Sequence, residues 1–245
     1  MALPASFIQH LRQEGYHPRS DKHSKALARA IVADLGRYCD RIASDAQAAK
    51  LVWEYNHDLT YGHATWNTDL AIGQPPPGSL PAPVQLVGPM RRATPASTRI
   101  AVEIKGVMTE HRKAVKNRKR DLESHHAHVH DYDPQAIAAG IVVVNAAPMF
   151  ASPLRAAGQI TVHRDPEALV QHCINELNNV TMASGAHRVG LDAKCALVVS
   201  MDNVDLAATT YWTAPPAPQV GSPIHWDAFM QRICTVYGGR FPTAS

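Results

Sequence analysis

The sequence predicts an α/β fold in which a central mixed β-sheet is flanked by helices. Apolar residues recur near helical spacing in several segments, and other segments hold short β-branched runs bounded by turn-forming residues. Helical and strand-like segments alternate along the chain, which is typical of a layered α/β fold. Because the chain has 245 residues, of which 45% are hydrophobic, it can bury a substantial core, and we predict one domain over residues 1–245.

Two helices are predicted near the start of the chain. The first covers residues 20–43, with Ser20 or Asp21 as its candidate N-cap. Its apolar residues recur near helical spacing; they are Leu27, Ile31, Leu35 and Ile42. A second helix is predicted to begin at Ser44 and to run through "SDAQAAKLVWEYNHD", which places Glu54 on a helix.

Two strands are predicted on either side of a proline-rich segment. The first lies in "HATWNTDLAIG" and ends at Gly73, and the second lies in "RIAVEIKGV". Residues 74–99 contain too many prolines for a regular helix or a central strand, so we predict a long loop there. A loop of this length inside a compact domain is usually functional or disordered.

The second half of the chain continues the alternation. A helix with Thr109 as its N-cap is predicted through "EHRKAVKNRKRDLESHHAHVH", and "AGIVVVNAAP" is predicted to be a buried strand. Asp165 as N-cap and Pro166 at the first position predict another helix. The segments "KCALVVSM" and "HWDAFMQRICTVYG" are predicted to form a further strand and a final helix.

Composition argues against several classes of protein. The net charge of +3 is only mildly basic, so total charge alone does not indicate binding to nucleic acid. The four cysteines form no C-x-x-C pair, which argues against a cysteine zinc site and indicates reduced thiols in the cytoplasm. The longest apolar stretch, "AIAAGIVVV", is too short to cross a bilayer, and the start lacks a signal-peptide pattern. We therefore predict a cytoplasmic protein that does not enter a membrane.

Polar residues on the two central strands form the candidate catalytic site. Side chains alternate across a strand, so Glu103 and Lys105 share the face opposite the apolar residues of their strand. Asp69 lies on the corresponding face of the preceding strand. If the two strands pair with their apolar faces aligned, Asp69 and Glu103 converge beside Lys105.

Two carboxylates brought together repel each other unless a cation lies between them or one of them takes up a proton. Mg²⁺ fits such a site because it prefers oxygen ligands and keeps waters while it binds one or two carboxylates, and Mn²⁺ is a substitute. The backbone carbonyl of Ile104 is a candidate third ligand. Lys105 is placed to orient the attacking water or to stabilise charge developing on phosphorus.

The residues Thr68-Asp69 and Glu103-Ile104-Lys105 resemble the signature of the PD-(D/E)XK, or restriction-endonuclease-like, nucleases. The resemblance implies a core of helix, three strands, helix and strand, with the acidic residue on the second strand and E-x-K on the third. It implies Mg²⁺-dependent cleavage of double-stranded DNA by a homodimer, with type II restriction endonucleases as the nearest functional class. Many members carry a glutamate on the first helix, and Glu54 is the residue matched to it.

The resemblance covers about the first 150 residues. It implies a catalytic core at about 20–150, with residues 151–245 completing the sheet and supplying specificity or an interface. Two features depart from the family pattern: Thr68 stands where the signature has proline, and the proline-rich segment lengthens the spacer between Asp69 and Glu103. An isolated E-x-K is also common as an ion pair on an exposed strand.

Candidate DNA contacts follow the E-x-K strand directly. The segment "EHRKAVKNRKRD" holds six Lys or Arg residues in twelve positions. At helical spacing Lys113, Lys116 and Arg120 share a face, with Asn117 nearby, and such a face could contact phosphates. Arg91 and Arg92 in the proline-rich segment are further candidate contacts.

Two other functions stay open at this point. On a strand, His126, His128 and His130 would share a face and could bind a transition metal, so residues 125–131 are the candidate site of a histidine-based metallohydrolase. The ordinary explanation of these histidines is a polar helix end, where they suit the helix dipole. The third hypothesis is a non-catalytic DNA-binding module of the same fold.

Overall fold

The computed structural model describes residues 2–78, 85–156, 159–184 and 189–242. Within these ranges the helices are α1 (Ala5–Glu14), α2 (Lys22–Tyr38), α3 (Asp40–Gln47), α4 (His111–Tyr132), α5 (Pro166–Asn178) and α6 (Trp226–Arg240). The strands are β1 (Val52–Tyr61), β2 (Ala64–Gln74), β3 (Leu86–Val87), β4 (Met90–Arg92), β5 (Ser97–Val107), β6 (Ile137–Asn145), β7 (Met149–Ala151), β8 (Ile160–Val162), β9 (Ala193–Ser200) and β10 (Thr210–Tyr211).

A mixed sheet of eight strands, in the order β10-β9-β6-β5-β2-β1-β4-β3, forms the centre of the fold. Strand β2 is antiparallel to both β1 and β5, whereas β5, β6 and β9 run parallel to one another. Strands β7 and β8 form a separate antiparallel pair. The predicted α/β class with a mixed sheet flanked by helices is confirmed.

Helices cover both faces of the sheet. On one face, buried side chains of α1, α2, α3 and α6 form one core cluster with Ile100, Val102 and Ile104 of β5. On the other face, buried side chains of α4 and α5 form a second cluster with Ala101 and Val107. Strand β5 therefore alternates between two cores, as expected for a strand covered on both sides.

Several predicted elements have the expected type. All nine residues of β6 are buried, which explains its uninterrupted β-branched character at the centre of the sheet. Helix α5 begins after Asp165, whose side chain accepts a hydrogen bond from the Ala168 amide as an N-cap should. Helix α4 begins at His111, with Glu110 rather than Thr109 at the N-cap position. None of the described helices combines the length and the apolar character that crossing a membrane requires.

The predicted helix from Ser44 through Asp58 is wrong. Helix α3 ends at Gln47, Ala49 takes up a left-handed backbone with φ of 55°, and β1 begins at Val52. The run "LVWEY" combines β-branched and aromatic residues, which pack well on a pleated sheet, and pairing with β2 stabilises the strand. The first predicted helix is also interrupted, because Cys39 is extended and separates α2 from α3.

The proline-rich segment is largely irregular, as predicted, but it contributes β3 and β4 to the edge of the sheet. Strand β4 runs parallel to β1, where Trp53 lies opposite Arg92. Residues 79–84 of the predicted loop lie outside the described residues.

Candidate active site

The candidate site lies where β2 and β5 run side by side. The two strands pair with Leu70 opposite Val102, so Asp69 is next to the E-x-K segment of β5. The Ile104 amide donates a hydrogen bond of 2.8 Å to Oδ2 of Asp69. The Asp69 side chain is therefore hydrogen-bonded to the backbone between Glu103 and Lys105, in the region where strand alternation predicted it.

The ammonium group of Lys105 connects the two carboxylates. Its Nζ forms an ion pair with Oε1 of Glu103 and lies 3.9 Å from Oδ2 of Asp69. The three side chains are largely shielded from solvent, with exposed fractions of 17% for Asp69, 4% for Glu103 and 24% for Lys105. The structure thus brings together the three residues that the sequence placed on one face of two neighbouring strands.

Burial changes the proton affinity of all three groups. Burial raises the pKa of Glu103 to about 7; Lys105 opposes this change and Asp69 adds to it. Burial likewise raises the pKa of Asp69, against the effects of Lys105 and the Ile104 amide. Burial alone would lower the pKa of Lys105, but Glu103 and Asp69 outweigh it and raise that pKa. Lys105 is therefore the charged partner that makes ionised carboxylates tolerable here.

The second oxygen of Glu103 lacks a hydrogen-bond partner within the described part of the chain, although it is buried. Nδ1 of His125 on α4 lies 3.8 Å from it. Because Nε2 of His125 faces the Ala101 carbonyl at 3.3 Å, the ring proton belongs on Nε2 and Nδ1 carries a lone pair. Burial lowers the pKa of His125 to about 3, so this ring is neutral near pH 7. A buried carboxylate oxygen without a donor is available to a cation.

A cavity of about 450 Å³ opens beside Asp69 and Lys105. Its walls come from the segment before α2 and the first turn of α2, the end of β5, the first turns of α4, and Phe150 with its neighbours. Polar lining residues include Tyr16, Arg19, Asp21, His23, Ser24 and Arg118. Asp69 and Lys105 line the cavity and Glu103 is not among its described lining residues, while the cationic side chains of Arg19 and Arg118 lie on its wall.

Sequence reasoning missed the part that Asp21 plays. This residue was predicted only as an N-cap, yet its carboxylate lines the cavity and contributes to raising the pKa of Asp69. Asp21 accepts a hydrogen bond of 2.9 Å from the Asn56 amide group and forms an ion pair of 2.6 Å with Lys25. Only tertiary packing of α2 against β1 and β2 reveals this third carboxylate, because nothing in the local sequence links it to Asp69.

The predicted position of Glu54 on a helix near the catalytic residues is wrong. It lies on β1 and not on a helix, and its Oε1 accepts hydrogen bonds from Nε of Arg92 at 2.7 Å and from the Tyr55 amide at 2.9 Å. It is absent from the described residues that line the cavity. The structure therefore gives Glu54 an ion-pair partner at the sheet edge and does not bring it to Asp69.

The predicted metal ligands form a small set. Among the described residues, no three His, Cys, Asp or Glu side chains gather as a group that could hold a metal ion. The available set is the two carboxylates of Asp69 and Glu103, of which Asp69 lines the cavity together with Ile104, and Glu103 is not among its described lining residues. Two carboxylates fit Mg²⁺, which needs few protein ligands because it keeps several of its waters, and fit a softer metal poorly.

The predicted DNA contacts fall in two places. Lys113, Lys116, Asn117 and Arg120 are exposed on α4, whereas Ala114 and Arg118 of the same helix face the cavity. Arg118, which the sequence did not single out, also forms an ion pair of 2.7 Å with Asp121. Arg91 and Arg92 lie on β4, near the sheet edge formed by β3, and both are half-buried.

The histidine run lies within α4, so the strand geometry that would align its side chains is absent there. His126 accepts a hydrogen bond from the Gly190 amide, His128 stacks on Trp66 with ring centroids 4.5 Å apart, and His130 lies 3.4 Å from Asp192. Each ring has a separate structural partner. The geometry does not favour a shared metal at residues 125–131.

Comparison of the chain with protein-family models, curated proteins and solved structures finds no match in any of the three.

Proposed function

We propose that this protein is a Mg²⁺-dependent endonuclease that hydrolyses phosphodiester bonds of double-stranded DNA, of the type II restriction class. The observation that carries the proposal is the contact of Lys105 with both Asp69 and Glu103 beside an open cavity. Two buried carboxylates and one ammonium group have the charge and the oxygen donors that metal-assisted hydrolysis of a phosphodiester needs.

The order of the elements supports the restriction-endonuclease-like core. After α2 and α3 come β1, β2 and β5, then α4 and β6, which follows the sequence of helix, three strands, helix and strand. Asp69 lies on the second of these strands and the E-x-K residues lie on the third. Strands β3 and β4 are an insertion between them, and β9 and β10 extend the sheet.

In the proposed reaction Asp69 and Glu103 hold Mg²⁺ or Mn²⁺, with the Ile104 carbonyl as a third protein ligand. When bound, the ion screens the charge of the phosphodiester and lowers the pKa of a water. Lys105 orients the attacking water and stabilises the charge that develops on the phosphoryl oxygens. The water oxygen bonds to phosphorus and loses a proton, while the bond to the leaving oxygen breaks and that oxygen takes up a proton.

The exposed cationic face of α4 is the proposed contact with the DNA backbone. Lys113, Lys116 and Arg120 lie on the same helix as Arg118, which lines the cavity. Contacts to phosphates fix the position of a duplex without reading its sequence. Type II enzymes commonly cut both strands as homodimers, and we propose a homodimer in which residues 151–245 contribute specificity or the interface.

Incubation of the purified protein with varied plasmid and phage DNA plus Mg²⁺, followed by sequencing of the ends, tests the proposal. Cleavage at fixed positions is expected, and Asp69→Asn and Glu103→Gln should abolish it. The matched control is Asp131→Asn, which removes an exposed carboxylate of α4 and should leave cleavage unchanged.

Two results would replace this function by another. Binding of duplex DNA without cleavage under Mg²⁺ or Mn²⁺ identifies a non-catalytic DNA-binding module. Bound zinc on purification, with activity lost in His126→Ala or His128→Ala and retained in Lys105→Ala, identifies the histidine-based metallohydrolase.

A further inference from the structure

A second cavity, of about 440 Å³, lies between α1, α2, β1 and β4, on the other side of the first turns of α2 from the candidate active site. Its lining is rich in cationic side chains, which are Lys22, Lys25, Arg29 and Arg92. The uncharged polar lining residues are His10, Gln13, Tyr55 and Gln85, and Glu14 is the acidic residue among the described lining residues. We call it the α2–β4 cavity.

Three of the four cations already have a carboxylate partner. Lys22 pairs with Glu14 at 2.6 Å, and Lys25 pairs with Asp21 at 2.6 Å. The third pair joins Arg92 to Glu54 at 2.7 Å. Arg29 is exposed and forms no ion pair with any residue in the described part of the chain. The cavity therefore keeps one uncompensated positive charge, and it lies on Arg29.

Tyr55 gives an independent indication of a ligand. Its residue exposure is 7%, and the guanidinium of Arg29 lies where it can donate to the hydroxyl oxygen, yet the hydroxyl proton has no acceptor in the described ranges. The guanidinium of Arg92 lies 4.7 Å from the centroid of the Tyr55 ring, which fixes the ring at the cavity wall. A buried hydroxyl without an acceptor is costly, and here it lies among cations. A phosphate oxygen would accept its hydrogen bond and balance the charge of Arg29.

The two cavities share the first turns of α2. Asp21 and Ser24 line the candidate active site, and Lys22 and Lys25 line the α2–β4 cavity. The two cavities are therefore neighbours along α2, and one DNA strand can pass both.

We infer that the α2–β4 cavity binds a backbone phosphate of the DNA strand that is cut at Asp69. This inference rests on the proposed function for its ligand. Arg29 supplies the charge and Tyr55 supplies a hydroxyl donor. The contact is to the backbone, so it strengthens binding of all sequences and adds no sequence preference.

The test compares Arg29→Gln with Arg37→Gln, a matched control that removes an exposed arginine elsewhere on α2. Fluorescence anisotropy with a labelled duplex in EDTA, over a range of salt concentrations, gives the affinity and its salt dependence. Arg29→Gln should bind roughly tenfold more weakly at low salt. Its slope of log affinity against log salt should be shallower by about one. Tyr55→Phe should weaken binding with little change of slope, and the control should match the wild type.

Cleavage separates this inference from the proposed function. At subsaturating DNA with Mg²⁺, Arg29→Gln should cut more slowly than the wild type, because it binds less of the DNA, whereas the Arg37→Gln control should cut at the wild-type rate. An affinity and slope equal to those of the Arg37→Gln control would overturn the inference even if the wild type cuts DNA. If the wild type fails to cut and Arg29→Gln still lowers affinity and slope, the phosphate site stands and the nuclease proposal fails.

Discussion

The Nζ atom of Lys105 on β5 lies 3.9 Å from Oδ2 of Asp69 on β2, while it also forms an ion pair with Glu103. One ammonium group therefore compensates two carboxylates that would otherwise repel each other. Burial works against ionisation of each of the three groups, and their mutual attraction works for it. In the proposed function a divalent ion would replace this internal compensation and would leave Lys105 free to face a phosphate.

Lys105→Ala should lower the single-turnover rate of DNA cleavage by at least about 100-fold, which is the usual effect of removing one donor from a developing anion. Binding of duplex DNA in EDTA should stay within about twofold, because the proposed contacts with the DNA backbone come from the exposed cations of α4 and from Arg29, and not from Lys105. The measurements are quenched cleavage assays and fluorescence anisotropy on the same preparations.

The control for this variant is Lys50→Ala, which removes an exposed lysine that is not among the described cavity-lining residues. It should cut and bind as the wild type does. A Lys105→Ala protein that folds, binds DNA and cuts within about threefold of the wild type would remove Lys105 from the proposed reaction.

The raised pKa of Glu103 makes the stability of the metal-free protein depend on pH. The folded-state pKa is about 7 and the reference value is 4.5, so the folded protein holds a proton that the unfolded chain has lost between these values. The free energy of unfolding should therefore fall as pH rises from 4.5 to 7 and then level off, by up to about 3 kcal/mol. Below pH 4.5 both states are protonated and the penalty disappears.

Urea unfolding in EDTA at several pH values measures this effect. Glu103→Gln keeps the shape of the side chain without its charge, so its unfolding free energy should depend less on pH in that window. A smaller fall should remain, because burial also raises the pKa of Asp69. Parallel curves for the two proteins would show that Glu103 is already ionised at pH 5.

Alternation along the strands was enough to predict the positions of Asp69, Glu103 and Lys105. The apolar residues of β5 define its core faces, and the antiparallel pairing with β2 follows from two apolar strands joined by a loop. Burial of Ile100, Val102 and Ile104 leaves Glu103 and Lys105 on the other side. The alternation of apolar and polar residues determines these positions, because a shift of one residue would move Glu103 and Lys105 into the core formed by Ile100, Val102 and Ile104.

The sequence-based predictions failed in two situations. Either the local sequence is compatible with both helix and strand, or the position of a side chain depends on contacts with residues distant in the chain. "LVWEY" is apolar without a clear period, and its strand state is decided by pairing with β2, so Glu54 was placed on the wrong element. Asp21 reaches the site through packing of α2, and Arg118 turns to the cavity only because of how α4 lies on the sheet. The residues next to Asp21 and Arg118 in the sequence do not indicate that either side chain lines the cavity.

Replacement of Lys113, Lys116 and Arg120 by Ala together should reduce the salt dependence of DNA binding. These side chains lie exposed on one face of α4, whereas Ala114 and Arg118 of the same helix line the candidate active site. If each neutralises one phosphate, the slope of log affinity against log salt should become shallower by about 2.7. Cleavage of saturating DNA should change little, since the three residues contact the backbone outside the reacting group.

A second triple variant controls for net charge. Arg37, Lys50 and Arg164 are also exposed and lie on α2, before β1 and before α5. Their replacement by Ala removes the same three charges and should leave the slope close to that of the wild type, because screening confines charge effects to about 10 Å at 0.1 M salt. An equal change of slope in the two triple variants would mean that DNA binding depends only on the total charge of the protein. The α4 residues would then have no specific part in binding.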